Sequence, residues 1–221
     1  MHSSEQKLRL IKNKVKEICL KKQQKTFPEI IVISKTFPFD KIIPLLEIGH
    51  NHFGENKIQE AEKKWLGARD KYKSLQLHMV GKLQSNKAKN AVKLFDYIHS
   101  LDNSKLAEKL NKYQNELNRN VKLFIQVNIA NETQKSGIPL NDLKSFYNYC
   151  TNDLSLNIIG LMCLPPINSD PDNFFKILKK ASNELNLKDL SIGMSNDFEQ
   201  AISNGSTYLR LGTAILGERS N

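Results

Sequence analysis

Apolar residues along this chain switch repeatedly between helical spacing and short unbroken or alternating runs, and that switching predicts its elements. Leu8, Ile11, Val15, Ile18 and Cys19 recur at helical intervals behind Ser3 and Gln6, which have capping-box spacing, so the chain opens with an amphipathic helix. Phe27-Pro28 ends the polar connection that follows, because the residue before proline is biased away from helix. Next comes E-I-I-V-I-S-K from Glu29 to Lys35, in which Ile30, Ile31, Val32 and Ile33 read as a parallel strand covered on both faces. Lys35 stands at its carboxyl end.

The alternation then continues. Asp40 is placed to cap a short helix bearing Ile42, Ile43, Leu45 and Leu46, with Pro44 in its first turn and Gly49 past its end. A second strand falls in H-N-H-F-G-E-N, with Gly54 allowing a tight exit and Asn56 at the carboxyl end. One helix follows, with Ile58, Ala61, Trp65 and Ala68 on a shared face. Leu75–Val80 is the third strand, with His78 near its end, and a polar loop leads to a helix capped by Ser85. Phe95–His99 is the fourth, followed by a helix bearing Leu106, Leu110, Tyr113 and Leu117. Val121–Ile129 is the fifth and the richest in β-formers; the loop 130–139 separates it from a helix with Leu143, Phe146, Tyr147 and Cys150. Leu156–Met162 is the sixth, and Asp170-Pro171 opens a helix with Phe174, Ile177, Leu178, Ala181 and Leu185. Asp189–Ile192 is the seventh, leaving through Gly193-Met194-Ser195 to a helix capped by Asn196. Thr207–Leu211 is the eighth, and 212–217 fits one last helical turn.

Eight strands alternating with helices predict an α/β fold, a single (β/α)8 TIM barrel with an extra helix before it, as one domain over 1–221. The rival, a doubly wound open sheet, would more often show a G-x-G-x-x-G turn after its first strand, and none occurs there.

Composition changes this picture little. The net charge of +10 comes mainly from lysines, and their densest groups, between Lys12 and Lys25 and between Lys57 and Lys73, fall on amphipathic helices. A solvated lysine face explains them better than a nucleic-acid surface, which favours clustered Arg and Lys with aromatics between. Cys19, Cys150 and Cys163 lack C-x-x-C spacing, which argues against a disulfide framework or a zinc site. No apolar run approaches membrane-spanning length and the first residues lack a signal peptide's apolar core, so the expectation is a cytoplasmic protein with no membrane contact. A monomer is the default, with a dimer left open.

Barrel enzymes carry their chemistry at the carboxyl ends of strands, and here those ends hold Lys35, Asn56, His78, Asn128, Met162, Ser195 and Thr213, with Arg210 one step inside the last strand. Each alone has a structural explanation: Asn56 or Ser195 as a helix cap, His78 as a hydrogen-bonded core residue, Met162 and Met194 as gap-fillers. Together on one rim they point to a ligand. Gly193-Met194-Ser195 and Gly212-Thr213 have the makings of the phosphate site that barrels build after strands seven and eight. Period-two alternation puts Tyr208 and Arg210 on one face and Leu209 and Leu211 on the other; if the leucines face the helices, Arg210 points into the barrel mouth. A lysine, a phosphate cradle and a buried arginine around one cavity suit pyridoxal 5′-phosphate (PLP), which takes an amine for its aldehyde, an anion site for its phosphate and a partner for its pyridine nitrogen.

The chain also resembles a known family, the pyridoxal-phosphate homeostasis proteins, barrels like the N-terminal domain of alanine racemase. The resemblance rests on seven ordered blocks: V-I-S-K-T at 32–36, H-F-G-E-N at 52–56, H-M-V-G-K-L-Q-S-N-K at 78–87, K-S-G at 135–137, G-L-M at 160–162, G-M-S at 193–195 and R-L-G-T-A-I-L-G at 210–217. It implies that Lys35 carries PLP covalently as an internal aldimine and that Ser195, Gly212 and Thr213 hold the phosphate. Arg210 would face the pyridine nitrogen, and Asn56, His78, Met162 and Met194 would line the ring pocket. Lys82 stands where many relatives have proline, a departure that bears on the third loop. An arginine beside the pyridine nitrogen disfavours its protonation and weakens the ring as an electron sink. The resemblance therefore implies a carrier or buffer of PLP, delivering it to apo-enzymes with little or no turnover. An amino-acid racemase is the alternative, and a Schiff-base aldolase acting on sugar phosphates a more distant one.

Overall fold

The computed structural model describes residues 3–132, 134–166 and 169–218. Its first half runs α1 (Ser3–Lys21), β1 (Glu29–Ile33), α2 (Ile43–Glu47), β2 (His52–Glu55), α3 (Ile58–Trp65), α4 (Ala68–Lys71), β3 (Gln76–Met79), α5 (Ala88–Leu94), β4 (Tyr97–Leu101) and α6 (Ser104–Leu117). The second runs β5 (Lys122–Asn128), β6 (Ile138–Pro139), α7 (Leu143–Asn148), β7 (Ile158–Cys163), α8 (Pro171–Glu184), β8 (Asp189–Ser191), α9 (Phe198–Ser203), β9 (Tyr208–Leu211) and α10 (Thr213–Leu216).

All strand pairings are parallel. β1 lies between β2 and β9, with Val32 opposite Phe53 and Ile31 opposite Arg210, and β4 pairs with β5 to close the ring. Eight strands thus form the barrel, with α1 as the extra helix before it. The two-residue β6 lies outside the eight, adding to the end of β5 through Val127 opposite Ile138. Sequence placed these residues in a loop, and two residues are too few to carry a period.

Several boundaries move for local reasons. β4 begins two residues later than its apolar run suggests, because buried Phe95 closes α5. The helix expected through Ala68 breaks after Trp65 into α3 and α4, with Gly67 at φ 72° between them. Ser85 opens a 3-10 turn without capping by its side chain, Asp40 likewise sits inside a 3-10 turn, and Asp197 rather than Asn196 precedes α9. Gly54 lies within β2, not at its exit; a Cβ there would stand 2.6 Å from Ile33 Cδ1, so close packing of β1 on β2 is what requires the glycine.

The barrel has two unlike interiors. Between strands and helices lies a large apolar layer in which Val32, Phe53, Leu77, Ile98, Ile125, Leu161, Leu190 and Leu209 are almost wholly buried. Each contributes about 1.5–3 kcal/mol through burial. Inside the ring Tyr97, Phe124 and Met162 cluster with Ile159 and Tyr208, and imidazoles fill much of the remaining space. His78 stacks on Tyr97 with ring centroids 4.2 Å apart, and His99 on Phe124 at 4.3 Å. Leu209 and Leu211 do face the helices, so Arg210 faces inward.

Candidate functional site

At the carboxyl ends of the strands a cavity of about 330 Å³ is lined by Lys35, Asn56, Met194, Ser195, Arg210, Gly212 and Thr213, together with Ile33, Val80, Leu164 and Asn196. Seven of the nine residues proposed from sequence therefore share one space. His78 and Met162 do not line it; both are wholly buried inside the barrel. Their strand-end positions gave no sign of this depth, because which level of a barrel a residue occupies depends on stagger between strands.

Lys35 is half-buried, and its neighbours are fixed more firmly than sequence suggested. Ser34 Oγ donates to Glu55 Oε1 at 2.7 Å, and Lys64 Nζ donates both to the Ser34 carbonyl at 2.6 Å and to Glu55 Oε1 at 2.9 Å. Trp65 Nε1 donates to the same carboxylate oxygen at 3.1 Å. On the other side of Lys35, Thr36 has φ 69°, a left-handed conformation that costs a β-branched residue about 1–2 kcal/mol. Glu60 accepts its N–H and the Lys64 ammonium. Burial opposes ionisation of Glu60, but these two donors outweigh it and hold the carboxyl below the usual range. The backbone on both sides of Lys35 is thus pinned by β2 and α3.

Opposite, the loop 193–196 and the start of α10 supply hydroxyl and backbone groups. Gly193 has φ 94°, and a Cβ there would lie 2.6 Å from Ala201 Cβ, so glycine is required by conformation and by packing on α9. Gly212 differs: its φ is −111°, and a Cβ would stand no closer than 3.5 Å to Ile33. Here glycine leaves open a space that a side chain would fill. Ala214 N–H donates to Ser195 Oγ at 3.2 Å, which leaves the hydroxyl proton of Ser195 able to point to an anion.

Arg210 closes the floor. Nη1 donates to the carbonyl of Ser191 and to Ser191 Oγ at 2.7 Å, and Nη2 to the Cys163 carbonyl at 3.0 Å. Among the described residues no carboxylate lies within ion-pairing distance of it. Burial works against its charge, opposed by Cys163 and Asp197, and pushes its pKa down, though an arginine remains a cation. A cation, a hydroxyl, a half-buried amine and an unfilled glycine position in one cavity fit a small anion-bearing aldehyde, so the residues present suit PLP.

A second cavity of about 350 Å³ adjoins the first across Asn56, Val80 and Leu164 and is lined by Lys82, Asn128, Lys135 and Ser136. Lys82 therefore stands beside the main site rather than in it. Among the described residues no group of three or more His, Cys, Asp or Glu could hold a metal, and no helix is long and apolar enough to cross a membrane.

Compared with known proteins, the chain matches the alanine racemase N-terminal domain over residues 13–220. A pyridoxal phosphate homeostasis protein of Pasteurella multocida is 34% identical over 208 residues, which cover 90% of this chain and 89% of that protein. PipY of Synechococcus elongatus is 32% identical; without PLP it superposes with a TM-score of 0.87 over 98% of this chain and 100% of its own. With PLP bound the TM-score is 0.78, over 92% and 100%. Alanine racemase of Corynebacterium glutamicum, at 14% identity and a TM-score of 0.67 over 88% of this chain and 56% of its own, shares the fold alone. By this near end-to-end match the chain belongs to the alanine racemase N-terminal domain family and, within it, to the pyridoxal phosphate homeostasis proteins.

Proposed function

We infer that this protein binds PLP in the cavity at the barrel mouth, with Lys35 as the covalent tether, and serves intracellular PLP homeostasis by holding and delivering it to apo-enzymes. The observation that carries the reading is the convergence of Lys35, Ser195, Arg210, Gly212 and Thr213 on one cavity in a chain whose relative PipY has been solved with PLP bound. When bound, PLP supplies an aldehyde that condenses with amines and a pyridine ring that withdraws electrons.

The chain's own residues divide the work of holding it. Lys35, its backbone pinned by Glu55, Glu60 and Lys64, presents the amine in a fixed place. Ser195 and Thr213 face the anion from the cavity lining, and the open Gly212 position admits it. Arg210, which donates three hydrogen bonds to neutral acceptors, keeps a positive charge at the cavity floor, where it disfavours a second positive charge on a ring nitrogen. Asn56 and Met194 line the walls, while His78 and Met162 act from beneath.

Mixing purified protein with PLP should give a visible absorbance band that Lys35→Ala abolishes, and the loaded protein should restore activity to a PLP-dependent apo-enzyme. A colourless mixture, or a loaded protein that restores nothing, contradicts the reading. Exchange of amino-acid α-protons in deuterated water at a rate above that of free PLP would instead mark a racemase.

A further inference from the structure

Beneath the cavity, three histidines and a serine join Arg210 to the opposite end of the barrel. Ser191 Oγ lies 2.8 Å from His99 Nδ1, His99 Nε2 lies 3.0 Å from His78 Nδ1, and His78 Nε2 lies 2.9 Å from His52 Nδ1. His52 Nε2 in turn faces Glu29 Oε2 at 3.7 Å, where β1 begins and the carboxylate reaches solvent. Register explains the climb: His78 pairs with Gly54 and with Tyr97, so His52 sits two residues before, and His99 two residues beyond, the position level with His78.

Donor and acceptor counting fixes the direction of this chain. A neutral imidazole has one N–H and one lone pair, and a hydroxyl has one proton. Among the described residues the side-chain oxygen of Ser191 has two partners, Arg210 and His99, and the guanidinium can only donate. The Ser191 proton is therefore directed to His99 Nδ1. His99 must then donate from Nε2 to His78, His78 from Nε2 to His52, and His52 from Nε2 toward Glu29. The opposite direction would leave the buried Ser191 proton without an acceptor and turn the lone pair of His52 onto a carboxylate. Burial, reinforced by Arg210 at His99 and by neighbouring imidazoles at His78, keeps both of these rings neutral.

We propose that Ser191, His99, His78 and His52 form a one-way hydrogen-bond relay, every imidazole protonated on Nε2, that turns acceptor dipoles toward Arg210 and ties its charge to Glu29 at the far end of the barrel. Ser191 and the histidines are then positioning residues for Arg210. They hold the guanidinium without placing a carboxylate beside it, and its field stays directed at the cavity. The relay stands on protein geometry alone; only its consequence for the ligand rests on the PLP reading.

The test has two arms. In 15N-labelled protein without PLP at neutral pH, long-range 1H–15N spectra should give a pyrrole-type Nε2 and a pyridine-type Nδ1 for His52, His78 and His99. A pyrrole-type Nδ1 or a doubly protonated ring at any of the three overturns the relay. In the second arm, Ser191→Ala should weaken PLP binding about fivefold, the equivalent of one hydrogen bond, and Ser191→Thr, which keeps the hydroxyl, should restore it. Unchanged affinity in a folded Ser191→Ala protein overturns the role assigned toward Arg210. If the unsubstituted protein bound no PLP, the functional reading would fail while the first arm still decided the relay.

Discussion

Two buried cations support the site, Arg210 in the cavity lining and Lys64 behind the Lys35 strand end, and they are compensated in opposite ways. Lys64 is held by two carboxylates, Glu55 and Glu60, and by the Ser34 carbonyl. Arg210 is held by two carbonyls and a hydroxyl. A cation already paired has little field left to offer a ligand, so Lys64 works as scaffold for the Lys35 strand end. A cation given only neutral acceptors is stable because those dipoles are numerous and fixed, and it still acts on whatever enters the cavity.

The sharpest break of this contrast is on the paired side. Lys64→Met strands the wholly buried Glu55 carboxylate and should cost about 3–5 kcal/mol in denaturant unfolding, together with a loosened Lys35. Arg210→Met leaves no carboxylate stranded, so its stability cost should be smaller, about 1–3 kcal/mol, with PLP affinity lost instead. Equal stability costs for the two would remove the distinction.

Acid should reveal the neutral core. Burial, with Lys12 nearby, lowers His50 to about 3 from an ordinary value of 6.5. In the unfolded chain His50 binds a proton below pH 6.5, while in the folded protein it stays neutral down to about 3. Its contribution is thus complete above about pH 6.5 and lost as pH falls toward 3, roughly 5 kcal/mol across that window. His78 and His99, lowered in the same direction, add to the slope. Chemical unfolding at a series of pH values should show stability falling below pH 6.5, and a flat profile would mean these rings are not neutral in the fold.

The two glycines of the mouth should separate next. Gly193→Ala, with positive φ and a 2.6 Å contact, should destabilise by about 2–4 kcal/mol. Gly212→Ala should change stability by less than about 1 kcal/mol while reducing PLP affinity, because it fills the cradle without straining the chain. The smallest effect expected is from Ser195→Ala, about 1 kcal/mol of PLP affinity, read by titration.

How much of this was legible in the sequence divides along the same lines. Strand-end chemistry was, because the unbroken run before Lys35, the G-M-S turn and the alternation around Arg210 are local patterns, and each landed at the mouth. The scaffold around Lys35 was not: Glu55 and Lys64 read as an ordinary strand end and a solvated helix lysine until α3 packed Lys64 beneath Ser34, with 6% of its side chain exposed. The histidine relay was hidden for a different reason. His52, His78 and His99 lie on three separate strands, and only the register that pairs His78 with Gly54 and Tyr97 brings their rings into line. Asn196 was read as a helix cap, yet Asp197 takes the position before α9 and accepts the Met194 N–H; two adjacent residues suited to capping cannot be told apart by type alone.

The central claim is that one lysine among many is set apart by its position at the barrel mouth. Reduction of the PLP-loaded protein with borohydride, followed by proteolysis and mass spectrometry, tests it directly. One cofactor per chain on the peptide containing Lys35, absent from the Lys35→Ala protein, is the predicted result. Label spread over exposed lysines, with Lys35 unmodified, would contradict it.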